Sequence, residues 1–127
     1  MLNKQDIITR IKEDPQEFIP EEWVRLKVER NSKCPQSVKP DLLLKLSASN
    51  KNYHMLAGII LSSSRAIFSN KINELKKNAD LCNSLPLVIA PHLSSGERSL
   101  CRDNQVFFMD LSGNQWISVE GILIERE

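Results

Sequence analysis

Two aspartates are the residues of this chain best placed to do chemistry. Asp41 follows Pro40 and precedes the apolar run Leu42 to Leu46, which sets a carboxylate at the mouth of an expected strand. Held there, it could ligate a hard cation such as Mg²⁺ if a second acid or substrate phosphate oxygens completed the shell. It could equally accept backbone N–H groups at the strand boundary, and with no second acid nearby that structural use is favoured. Asp110 stands before Leu111, Ser112, Gly113 and Asn114, so a carboxylate, a hydroxyl and an amide meet at one turn. Turn chemistry explains this group: Asp110 caps a hairpin while Gly113 and Asn114 supply positive φ.

The other reactive types are scattered. Arg65, Lys71, Lys76 and Lys77 fall on one expected helix and could face phosphates, but Glu74 and Asp80 dilute them, and a solvated face is the simpler expectation. His54 lies in an apolar run as a satisfied core or edge histidine. His92 follows a strand end, where α/β sheets place ligands. Neither shows an acid or cysteine partner in the sequence, which argues against a catalytic histidine. Trp23 and Trp116 fall on alternating segments and could stack a base, but core or interface packing is the commoner use of an indole. Cys34, Cys82 and Cys101 form no CxxC pair, and an odd count at such spacing predicts reduced thiols and a cytoplasmic protein.

The elements that position these residues follow from periodicity. Ile7, Ile8 and Ile11 mark a short amphipathic helix over residues 5 to 13, ended by Pro15. Val24, Leu26 and Val28 alternate with charged residues as a half-buried strand. Residues 31 to 39 form a loop leading to the Asp41 strand, and SASNKN is a turn. Residues 53 to 61 are nearly all apolar, as in a strand covered on both faces. Ser62, Ser63 or Ser64 caps a helix running to about residue 79, with Ile67, Phe68, Ile72 and Leu75 inward. LPLVIAP is a short buried strand. SSGERSLCRDN is a helix capped by Ser94 or Ser95, with Leu100 and Cys101 inward. QVFFMDL and QWISVEGILIERE are two strands joined at SGN. The order α-β-β-β-α-β-α-β-β predicts an α/β fold, a mixed sheet with helices on at least one face.

Composition narrows the class. The 127 residues are about one domain, taken as 1–127, and 41% hydrophobic with 26% charged residues suits a folded globule. A net charge of +1 provides no global field for nucleic acid or an anionic membrane, so contact with DNA must come from a local patch. No apolar run is long enough to span a bilayer, and the first residues lack a signal-peptide core. The strand-like ending ILIERE points to a piece of a longer protein and offers an edge for pairing with a neighbour.

Pro40-Asp41 opening a strand, a second apolar strand, a helix, then LPLVIAPHLS, a short helix and VFFMDLSGNQWI resembles the PD-(D/E)xK restriction-endonuclease-like superfamily. More narrowly, it resembles bacterial domains of the "APyls…DlsGN" type, often fused to a winged helix. Ala90-Pro91 and Asp110 to Asn114 are the most specific part. The resemblance implies a restriction-endonuclease-like sheet and, in active members, an aspartate with an acid-x-lysine triplet on adjacent strands holding Mg²⁺. Asp41 matches the first position. Between Tyr53 and Ser64 there is neither acid nor lysine: Gly58 or Ile59 takes the acid position and Ile60 or Leu61 the lysine position. His92 stands where the family pattern has an aromatic packing residue. The expectation is a catalytically degenerate nuclease-like domain, DNA-associated or protein-interacting and regulatory, without a cofactor. The alternatives are an active Mg²⁺-dependent endonuclease with Asp41 and a displaced ligand such as Glu13 or Glu17, and an assembly subunit pairing with another protein or a second copy.

Overall fold

In the computed structural model, residues 2–19, 21–30, 34–61 and 64–127 are described. The elements are α1 (Lys4–Glu13), a 3-10 turn at Pro15–Phe18, β1 (Arg25–Glu29), β2 (Leu42–Ala48), β3 (Lys51–Ile59), α2 (Arg65–Leu81), β4 (Leu85–Ala90), α3 (Ser95–Asp103), β5 (Phe107–Asp110), β6 (Gln115–Val119) and β7 (Ile122–Arg126). The strands form one seven-stranded sheet in sequence order. Pairs β3–β4 and β4–β5 are parallel, joined through α2 and α3, and the other neighbours are antiparallel. The fold is the expected mixed α/β sheet flanked by helices, with one strand more than expected. QWISVEGILIERE alternates throughout, yet Gly121 at φ 84° folds it into a hairpin.

Alternation assigns the two faces. Leu42, Leu44 and Leu46 of β2 align with Met55 and Ala57 of β3, Leu87 and Ile89 of β4, and Phe107 and Met109 of β5, under Ile7, Ile8 and Ile11 of α1. The opposite face puts Leu56, Val88 and Phe108 against Phe68, Ile72, Leu75 and Ala79 of α2 and Cys101 of α3. Helices therefore cover both faces, which explains the continuous apolar runs in β3 and β4. Asn3 and Ser94 each complete a capping box, and Ser64 caps α2 by accepting from the Ile67 N–H. Ser62 and Ser63 lie outside the described residues. Gln16 ties the 3-10 turn to β1, donating to the carbonyls of Ile19 and Val24 and accepting from the Leu26 N–H.

Several local expectations are corrected. Trp23 lies in a turn ahead of β1 and is exposed, because the strand starts two residues later, and Ile67 is exposed on the outer side of α2. The cysteines are not all reduced: Cys34 and Cys82, 48 residues apart, form a disulfide, and Cys101 is the free, buried one. Sequence spacing hid this pair because the long β1–β2 connection folds onto the end of α2. Cysteine usage consequently gives no argument for a reducing compartment. Among the described residues, no helix is long and apolar enough to cross a membrane.

Candidate functional site

The β2–β3 ladder ends with Leu42 beside Ala57, which brings Asp41 next to Gly58. Gly58 therefore stands across from Asp41, and Ile60, two residues on, is buried just past the end of β3, where its N–H donates to the Ile89 carbonyl of β4. A side chain at position 58 would meet Leu75 of α2: a Cβ there would lie 3.0 Å from Leu75 Cδ1 and 3.3 Å from Cδ2. Packing of α2 on the sheet fills the space that a second acid would need.

The Asp41 carboxylate is already engaged. Its Oδ2 accepts the Ile59 backbone N–H at 2.9 Å, and its Oδ1 lies 3.3 Å from Lys4 Nζ, an ammonium from the first turn of α1. One oxygen bridges β2 to β3 and the other faces a half-exposed lysine ammonium. Mg²⁺, the ion implied by the family resemblance, does not fit these residues. One carboxylate with an ammonium against it is a poor cation site, and among the described residues no three His, Cys, Asp or Glu side chains converge.

A cavity of about 280 Å³ opens beside Asp41. Lys4, Lys39, Lys71, Glu74 and Asn78 line it, with Val38 and Pro40 forming the wall on the β2 side. It shares Pro40 and Asp41 with a second cleft that includes Lys12, Glu29 and Arg30. Together the two clefts hold five cationic and three acidic side chains, a larger positive excess than the net +1 of the whole chain. Such a local patch could attract a phosphate backbone. Of the four basic residues marked on α2, only Lys71 lines this cavity; Arg65, Lys76 and Lys77 are exposed elsewhere on the helix. They do not form one stripe, because at 3.6 residues per turn positions 65 and 76 share one side of the helix while 71 and 77 point about 120° to either side of it. Lys4 and Lys39 were not singled out by sequence, and Glu74 was read there only as an acid diluting the basic residues of α2. The spacing of Lys71, Glu74, Leu75 and Asn78, at i, i+3, i+4 and i+7, was the available sign that they share a face.

The Asp110 corner is built differently. Its buried carboxylate accepts four bonds: Ser112 N–H at 3.0 Å and Asn114 N–H at 2.9 Å on Oδ1, and Leu93 N–H at 2.9 Å and Asn114 Nδ2 at 2.8 Å on Oδ2. Gly113 has φ 101°, but Asn114 is not among the positive-φ residues. Asn114 serves instead through its backbone and side-chain N–H groups, which the carboxylate orients.

His92 is exposed rather than packed, because it sits past the strand end where nothing covers it. Its Nδ1 is 3.1 Å from Ser112 Oγ and 3.9 Å from Asp110 Oδ2. Hydroxyl and carboxylate face the same ring nitrogen, so they cannot form a proton relay through the imidazole. His54 does have an acidic partner, Glu29 Oε1 at 2.7 Å, brought from β1 across the sheet face. Trp116 is partly buried against Phe107 and Phe108, and the Arg102 guanidinium lies 4.9 Å over its ring, covering a face that a base would need. Cys101 is buried in α3, and burial first, then the nearby Glu97 charge, pushes its thiol from 9.0 up to about 12.

No protein-family model matches the chain, and no curated protein matches it. Among solved structures it is similar to EndoMS in apo form, with 13% identity and a TM-score of 0.46 over 87% of this chain and 47% of that one. The chain thus spans about half the length of that structure.

Proposed function

We propose that the chain is a catalytically degenerate nuclease-like domain that associates with DNA through the cleft around Asp41, with a regulatory rather than a cutting role. The observation that carries this reading is the Asp41 carboxylate held by Lys4 and the Ile59 N–H, beside a Gly58 position closed by Leu75. An ammonium in place of a divalent ion leaves no Lewis acid to activate water, yet it preserves a cationic surface beside a strand mouth. Lys39, Lys71, Lys12 and Arg30 extend that surface. Phosphate contacts of this kind position a duplex without reading its sequence.

Fluorescence anisotropy with duplex and single-stranded DNA at two salt concentrations tests binding. The expected result is salt-sensitive binding, with Lys39→Gln and Lys71→Gln each lowering the slope of log K against log salt by about 1. Failure to bind even at low salt would remove the DNA reading and leave contact with a protein or a second copy. In parallel, supercoiled plasmid should stay intact with Mg²⁺ or Mn²⁺.

One observation favours a second reading, an active nuclease with a displaced ligand: Glu74 lines the same cavity as Asp41, and Lys71 lies one helical turn before it. Plasmid cleavage abolished by both Asp41→Ala and Glu74→Gln would establish that reading. Equal nicking by wild type and variants would end it.

A further inference from the structure

We propose that the Cys34–Cys82 disulfide is a redox-sensitive clamp on the cleft beside Asp41, closed by oxidation and released by a small thiol such as glutathione. The proposal rests on reading that cleft as the DNA-contacting surface. One wall of the cavity is the segment after Cys34, which contributes Val38, Lys39 and Pro40 before reaching Asp41. The opposite wall is α2, which contributes Lys71, Glu74, Leu75 and Asn78. Cys82 is the C-cap residue of α2, and its N–H bonds the carbonyls of Asn78 and Ala79 at 3.1 Å. The disulfide therefore ties the start of one wall to the end of the other.

Between Cys34 at one end and the bonded Asp41 carboxylate at the other, segment 35–40 has few anchors. Val38 is its buried apolar residue, packed in the cluster with Ile72 and Leu75, and the Val38 N–H closes a turn on the Pro35 carbonyl at 3.0 Å. Pro35, Gln36, Ser37 and Lys39 are exposed. A segment with so little buried surface opens readily once its covalent link is cut.

The chemistry is thiol–disulfide exchange. Cys34 is partly exposed and Cys82 is buried, so an incoming glutathione thiolate reaches the Cys34 sulfur. The protein S–S bond breaks, Cys82 leaves as thiolate and takes a proton, and a mixed disulfide remains on Cys34. A second glutathione thiolate attacks the glutathione sulfur, giving glutathione disulfide and the Cys34 thiol. Two small thiols are oxidised and one protein disulfide is reduced. Cys101 stays outside the couple, because its buried thiol is protonated at neutral pH.

The full chain equilibrated in reduced or oxidised glutathione, then denatured and alkylated, should show two more alkylated cysteines in the reduced form. Hydrogen exchange of backbone amides in 35–41 should then be about tenfold faster in that form, with the sheet unchanged. DNA affinity should fall about fivefold, from the added cost of ordering the segment on binding. The double variant Cys34→Ser/Cys82→Ser should match the reduced wild type and ignore glutathione. Failure of the bond to form in oxidised glutathione, or equal exchange in both states, would overturn the clamp. Unequal exchange with equal DNA affinity would overturn its control of binding. Unequal exchange with no DNA binding in either state would support the clamp and overturn the DNA reading.

Discussion

Two aspartates at strand ends, Asp41 before β2 and Asp110 at the end of β5, have opposite fates in the same sheet. The Asp110 side chain is 0% exposed and accepts four N–H bonds from three residues, which locks the β4–α3 connection to the β5–β6 turn. The Asp41 side chain is 25% exposed, accepts one backbone N–H, and holds a lysine ammonium that is itself half exposed. A buried carboxylate satisfied on every side supports the structure and has no capacity left for a ligand. A carboxylate at a solvent-open cleft, neutralised by a half-exposed side chain, can exchange that partner for another cation or let the cation meet a phosphate.

The sharpest test of this contrast is Asp110→Ala. Removing the carboxylate leaves several N–H groups unpaired at a buried corner, and stability should drop by about 3 kcal/mol. Urea unfolding would measure the drop, and a loss no greater than that of Asp41→Ala would break the comparison. Next is Gly58→Asp, which forces a side chain against Leu75 and should cost about 2 kcal/mol by overpacking. Adding Leu75→Ala should return part of that loss and, with two acids at the cleft, give Mn²⁺ binding detectable by calorimetry. No gain in Mn²⁺ binding by the double variant would mean that Leu75 is not what keeps a second acid out.

The packed end of the molecule also carries an alkaline signature. The unfolded Cys101 thiol ionises near 9.0 and the folded one near 12, so the unfolded chain sheds its proton first as pH rises. This group's contribution is intact below about pH 9, and stability then declines by about 1.4 kcal/mol per pH unit toward about pH 12. Cys101→Ala should remove that part of the slope, read as the difference between variant and wild-type urea midpoints at successive pH values. The smallest effect is expected at the cleft: Lys4→Ala breaks a half-exposed ion pair and should change stability by less than about 0.5 kcal/mol. Its DNA affinity should fall nonetheless, and a large stability loss would show that the pair is structural after all.

Much of the fold was legible because the chain alternates cleanly and its breaks carry strong local signals. Pro15, the serine caps and the SGN turn stand where helices end, begin and strands reverse. The split between β6 and β7 was not legible, since alternation runs through Glu120-Gly121 and only the φ of Gly121 turns the strand back. The Trp23 and Ile67 placements failed for a related reason: periodicity shows which residues could face inward, not where a strand begins or how wide a helix's buried stripe is.

The amino-acid sequence alone determined that a carboxylate opens an apolar strand, that no acid or lysine stands between Tyr53 and Ser64, and that one turn gathers Asp110, Gly113 and Asn114. These are local facts of residue type and spacing. Only the tertiary structure decided which groups meet: Lys4 with Asp41, Leu75 over Gly58, Glu74 beside the cleft, and Cys34 bonded to Cys82. Each of those contacts joins residues at least 17 positions apart or on separate elements. Their meeting depends on how α1 and α2 pack on opposite faces of the sheet, and local periodicity does not specify that docking.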